Sequence, residues 1–405
     1  MVIANALLCD VNGEKKCDIR IEEGVIKEIG ENLEDKDLLD AKGAYFLPQL
    51  FDTNIRLQDG VLNAKNIKKT AYEALQNGIG HIVLNADSTP AIDNEVVLEF
   101  AQNSLHSLEG AKVEVMLNAL QEDAKLSNIA ILLKSGAIAP YMSTIAKNDV
   151  AIKIAEYVKM YDVTLFCKAE DNSLINSGVM LDGDVSSRLG LAGIPDLSEV
   201  LHVSRMIEIA RHFKIKILFK SIASPRSIDL IDKAKKEGVA VSCEVSLHHL
   251  LCSENECDNF NTTAKLNPPL AALSDQKLLL EALQEKKIDI LTTLHTPNSP
   301  VNKEVAFFDA HYGCEGLQHA LGLYYTKLVK SGYLSMSELI RLTVQNPAKA
   351  LAKESGEISE GMCVDALLFD PRSEQIIENQ HSLYHKQSIS GEVLMSFQGD
   401  KLIKF

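Results

Sequence analysis

No stretch of this chain approaches the roughly 20 consecutive apolar residues that a bilayer-spanning helix needs. The opening residues, Met1-Val2-Ile3-Ala4-Asn5, lack the basic-then-apolar pattern of a secretory leader, so a cytoplasmic protein without a membrane role is expected. An excess of basic residues is equally missing. The 41 Lys and Arg face 56 Asp and Glu, a net charge of −15, which argues against nucleic acid or an anionic membrane as partner. Cysteines at zinc-ligand spacing are missing too. The eight are scattered, and the closest pair, Cys252 and Cys257, has no second pair or His-x-His to complete a site. Reduced and mostly buried thiols are expected. No repeat of short fixed period occurs, which excludes a solenoid.

What is there suits a large, ordinary globular core: 405 residues, 46% of them apolar and 24% charged. Length alone leaves one big barrel with a smaller domain as plausible as three small domains. The first 45 or so residues are strand-like. Val2–Leu8, Cys17–Glu22 and Val25–Ile29 alternate or run apolar around the turn pairs Asn12-Gly13 and Glu23-Gly24. The tail repeats the style in Asp365–Pro371, Glu392–Phe397 and Lys401–Phe405. Between them, apolar runs at Tyr45–Ile55, His81–Ala86, Lys112–Leu117, Gly136–Met142, Val163–Ala169, Lys214–Ile222, Val239–Ser246 and Asp289–His295 read as strands. Helix-period segments separate most of them, such as Ala64–Gln76, Asp149–Tyr161, Leu197–Phe213, Ser227–Lys236 and Gln276–Lys286. Eight strands with helical crossovers predict an α/β fold, a (β/α)8 barrel over 47–350. The two chain ends, 1–46 and 351–405, are expected to combine into one small β-sandwich domain.

In such a barrel the chemistry sits at the C-terminal strand ends. Five runs there carry a family likeness: Gly43–Asp52, Lys168-Ala169-Glu170-Asp171, Glu244-Val245-Ser246-Leu247-His248-His249-Leu250, Lys265-Leu266-Asn267-Pro268-Pro269-Leu270, and Asn346-Pro347-Ala348-Lys349 followed by Gly356–Gly361. Together they resemble the dihydroorotases of the amidohydrolase superfamily, along with the related allantoinases. That family's Pro-Gly ahead of the first strand is Pro48-Gln49 here.

The resemblance assigns the metal-ligand positions one by one, and none keeps its ligand. The family's Asp-x-His-x-His ends strand one, and its two histidines are Asn54 and Arg56 here. The bridging group after strand four is Met142, the strand-five histidine is Lys168, and the strand-six histidine is Ser221, with Lys220 as its nearest alternative. The last-strand aspartate, metal ligand and proton carrier in active relatives, is Leu294. A guanidinium or ammonium has no lone pair to give a metal. A catalytic site needs about three protein ligands plus an open position for water, and without the metal that water keeps the pKa of bulk solvent. The family's substrate-holding residues have changed as well, to Gln58, Asp87 and Ala271, while Asn267 and His295 remain. No metal or other cofactor is expected; zinc would enter only if the chain were an active dihydroorotase.

The remaining chemistry-bearing residues favour plain roles. His248 and His249 have no ligand at metal spacing, so one is expected to pack under the strand-seven loop and the other to bond to backbone. His295 has lost its natural companion to Leu294 and is expected to be a remnant. The loop Ser253–Asp258 resembles a Ca2+ loop in composition only and is expected to be a solvated turn. Arg56 and Lys168 should point into the pocket mouth and pair with Asp87, Glu170 or Asp171. They would form either a plugged, salt-bridged pocket or a vestigial anion site with Asn267 and His295. By resemblance, the leading expectation is a non-catalytic, oligomeric partner of aspartate carbamoyltransferase in pyrimidine biosynthesis. The alternatives are an active dihydroorotase with an atypical site and a sensor of pyrimidine intermediates.

Overall fold

A computed structural model describes residues 1–106, 108–122 and 124–405. Its centre is a ring of parallel strands: β1 (Leu50–Ile55), β2 (Ile79–Leu84), β3 (Lys112–Val115, continuing as Leu117–Asn118), β4 (Pro140–Met142), β5 (Thr164–Lys168), β6 (Lys216–Lys220), β7 (Val241–Ser246) and β8 (Ile290–Thr292). Each pairs in parallel with the next in sequence. The ring closes where Ile55 bridges His295 and the Arg56 amide donates to the His295 carbonyl at 2.8 Å. Each of the eight strand-like runs of the sequence therefore supplies one barrel strand, the first of them from its second half alone. Helices fill the crossovers, among them Ala64–Gln76, Asn148–Tyr161, Leu197–Phe213, Pro225–Lys236 and Leu273–Gln284. The first shows why: Asn63 caps it by accepting from the Asn66 amide, and Ile67, Ala71, Ala74 and Leu75 form its buried stripe.

The two ends of the chain meet in a second sheet of eight strands. Val2–Asp10 lies near its middle, paired with Gly13–Glu22, Leu38–Asp40 and Tyr45–Pro48. Tyr45–Pro48 in turn pairs with Asp365–Ile376, which carries Ser388–Gln398 and Lys401–Lys404 beyond it. Ile3, Ile19, Phe46, Leu368 and Phe397 are buried in a core separate from that of the barrel. At the Glu23-Gly24 turn both residues have positive φ, the geometry of a tight hairpin. A side chain at Gly24 would run into the Gly399–Asp400 backbone.

The apolar run Tyr45–Ile55 is two strands in two sheets, not one. The chain crosses between them at Gln49, whose buried side-chain amide donates to Ser396 Oγ at 2.6 Å and to the Phe397 carbonyl at 3.1 Å. Among the described residues, no helix is long and apolar enough to cross a membrane.

Candidate functional site

β1 pairs irregularly with β2 between Asp52 and Ile55, and the side chains of Asp52, Thr53, Asn54 and Arg56 all bond to groups at the ends of other barrel strands. Asp52 lies deepest. Its carboxylate accepts from the Asn54 amide (2.8 Å), from the Thr293 amide (2.8 Å) and from Thr293 Oγ1 (2.5 Å), tying β1 to the segment after β8. Burial lifts its pKa to about 6 despite those bonds.

Above it, Asn54 is the hub. Its Nδ2 donates to Ser221 Oγ at 2.6 Å and to Glu244 Oε1, and its Oδ1 accepts from Asn85 Nδ2 at 2.8 Å. Thr53 Oγ1 donates to the other oxygen of Glu244 at 2.9 Å. Lys220 completes the layer, donating to the Thr53 carbonyl and to Asn85 Oδ1 (2.7 Å). Its ammonium sits 5.4 Å from the centre of the Tyr141 ring and 5.5 Å from that of Phe166, within cation–π range. Lys220 is fully buried. Desolvation lowers its pKa to about 8, although Glu244 pulls the other way.

The next layer opens towards solvent. Arg56 donates to Asp87 Oδ2 at 2.7 Å and to the Tyr141 hydroxyl at 3.2 Å. The two charged side chains keep 20% and 24% of their surface exposed, so this pair closes the mouth rather than lying in the core. Burial works against ionisation of Asp87, but Arg56 outweighs it and holds the carboxyl below its ordinary value. Lys168 pairs with Glu170 at 2.9 Å. These are two of the pairings expected from the sequence. Asp171 instead accepts from the Ser173 amide and caps a short helical turn.

Other positions fall differently. Met142 is fully buried; Tyr141, one residue earlier, reaches the mouth, so strand alternation puts Met142 on the opposite face. Ser221 and Leu294, where β6 and β8 end, are both non-glycine residues at positive φ, 53° and 51°. His295 is buried, and its Nδ1 accepts from the Gly316 (3.2 Å) and Leu317 (3.4 Å) amides. Its one basic lone pair is thus taken, the hydrogen sits on Nε2, and burial holds its pKa at about 3. Asn267 Oδ1 and Asp87 Oδ1 have no protein partner.

His249 reaches the Pro268 carbonyl at 3.1 Å, and His248 stacks on Tyr384, the plain roles expected of them. The acidic loop differs from expectation. Asn255 and Glu256 face solvent, but Glu254 and Cys257 are buried beneath the neighbouring loops.

The groups missed by sequence reasoning are Tyr141, Asn85, Thr53 and Glu244. Period-two alternation from Asp87 and Arg56 pointed to Asn85 and Asn54, and Glu244 stood in plain view within the Glu-Val-Ser run.

A metal does not fit here. Asn54 Oδ1 and both oxygens of Glu244 already accept from protein donors, Asn54 Nδ2 is itself a donor with no lone pair to give, and the nearby Lys220 and Arg56 bring positive charge. Among the described residues, no group of three or more His, Cys, Asp or Glu side chains could hold a metal ion.

The fold is that of the hydantoinases. It superposes on an L-hydantoinase from Arthrobacter aurescens with a TM-score of 0.88, over 100% of this chain and 95% of that one at 18% identity. A dihydropyrimidinase from Brevibacillus agri gives 0.86, over 100% and 94%, also at 18% identity. No family model matches the chain. It is 30% identical to a dihydroorotase of Caldanaerobacter subterraneus over 97% of its own length and 94% of that protein. It is 31% identical to a dihydroorotase of Acetivibrio thermocellus, over 93% and 92%. This chain belongs to the dihydroorotase family.

Proposed function

We propose that the chain is a non-catalytic dihydroorotase homologue of pyrimidine biosynthesis, acting in the cytoplasm as a structural or regulatory subunit of aspartate carbamoyltransferase. The observation that carries the non-catalytic reading is the self-satisfied interior: Lys220, Asn85, Asn54 and Glu244 bond to one another where a metal would need free donors. The carboxylate at the mouth, Asp87, is the ion-pair partner of Arg56, which lowers its pKa and weakens it as a base. A full-length barrel kept around such a site is one whose value lies in its shape and surface. Association with the carbamoyltransferase is supported by the family's inactive members, which are non-catalytic partners of that enzyme.

Affinity purification from the protein's own cells, with mass spectrometry, tests the association. Aspartate carbamoyltransferase at a fixed ratio is the expected result. A carbamoyltransferase that assembles fully without this chain would contradict it. The sensor reading keeps one support, the acceptors Asp87 Oδ1 and Asn267 Oδ1 that no protein donor reaches. Assembly that depends on an added pyrimidine intermediate would favour it over a purely structural subunit.

A further inference from the structure

Two loops on the C-terminal face of the barrel display large apolar side chains to solvent. The loop after β8 carries Val301, Val305 and Phe308, of which Val301 is 81% and Phe308 57% exposed. The loop after β7 carries Phe260, also exposed. Exposed side chains on a slack loop would mean little, but these loops are pinned together. Thr262 Oγ1 donates to the Lys303 carbonyl at 2.7 Å. Lys265 Nζ reaches the Phe307 (2.9 Å) and Phe308 (2.8 Å) carbonyls, and Lys303 Nζ those of His311 (2.9 Å) and Gly313 (2.8 Å). Two buried lysines thus serve as backbone staples. A hollow of about 530 Å³ opens beside Phe308, walled in part by Val179, Ala310 and Tyr312.

The staples also decide the charge of the face. Both lysines of these loops point inward, leaving Glu256, Asp258, Glu304 and Asp309 at the surface, with Asp258 held by Arg188. Exposed apolar side chains interspersed with carboxylates, of which Glu304 also lies 3.9 Å from His381, complement an apolar surface edged by Lys and Arg. A second copy is the wrong partner. A two-fold contact would set acidic rim against acidic rim, between chains that each carry −15.

We infer that this face docks a different protein, one whose contact surface is apolar at its centre and basic at its rim. The inference rests on the subunit reading above, under which the carbamoyltransferase is that protein. The test is sedimentation of the full chain with purified aspartate carbamoyltransferase of the same organism, at low and high salt. Val301→Glu and Phe308→Glu are each expected to weaken the complex roughly ten-fold or more, and Glu304→Lys to reduce its salt dependence. Phe100→Glu, on the outer helix Glu95–Asn103, is expected to leave it unchanged. A wild-type complex that both loop variants form equally well would overturn the docking face and leave the subunit reading standing. No complex with the wild type would sink the subunit reading and the face with it. Self-association of the chain alone, lost in Val301→Glu, would overturn the choice of partner.

Discussion

Lys220 carries a charge into a place that water does not reach, and its partners there come from four different strand ends: Thr53, Asn85, Tyr141 and Phe166. Removing one member of a buried, hydrogen-bonded charged set leaves the others unpaired, which costs about 3–5 kcal/mol. Lys220→Met, close in shape, is therefore expected to lose stability of that order in urea unfolding at neutral pH. A pH series separates the charge from the packing. The folded pKa of about 8 lies below the ordinary 10.5, so between those values the unfolded chain binds the extra proton. Through that window the wild type should therefore gain stability relative to Lys220→Met as pH rises, whatever Lys303 and the buried cysteines contribute to both proteins alike. Parallel curves for the two proteins would show that Lys220 does not titrate as described. The positions that the resemblance assigns to ligands can be named from sequence, because a motif fixes its own spacing. How Asn54 is bonded cannot, since Asn85 and Glu244 lie 31 and 190 residues from it in the chain.

At the scale of elements, the junction of the two sheets turns on one pair, Gln49 and Gly80. The side chain of Gln49 lies against Gly80, where a Cβ would come within 1.7 Å of Gln49 Oε1. Gly80→Ala is expected to cost roughly 1–3 kcal/mol through overpacking. Gln49→Gly should relieve part of that penalty, so the double variant is more stable than the sum of the two changes. Strict additivity in denaturant unfolding would contradict the contact. Strands and crossover helices were readable because period two and period 3.6 differ along the chain. The split at Gln49 was not, because an unbroken apolar run carries no sign of which sheet each half will join. Leu38–Asp40 was missed for a simpler reason, being three residues long.

For the whole molecule, acid is the revealing stress. His81, His248 and His295 are held at about 3, and His202 and His249 at about 4, chiefly by burial. Each binds its proton near 6.5 once unfolded, so each contributes stability present above that value and lost as pH falls towards 4. Four carboxylates oppose them: Asp52, lifted to about 6, Glu199, lifted to about 7, and Glu73 and Glu254, also raised by burial, favour the folded state as pH falls. With His319 lowered as well, six histidines stand against four carboxylates, and stability should drop between pH 6.5 and 4; urea midpoints that stay level across that range would count against the buried, neutral histidines.

Under the function proposed above, a closed network of side chains around Asn54, Glu244 and Lys220 stands where an active dihydroorotase would hold a metal. The most direct test is to incubate the purified chain with dihydroorotate or N-carbamoyl-L-aspartate and excess zinc, and to follow interconversion. No turnover above the uncatalysed rate is the predicted result. Turnover that needs zinc and stops with a chelator would contradict the account.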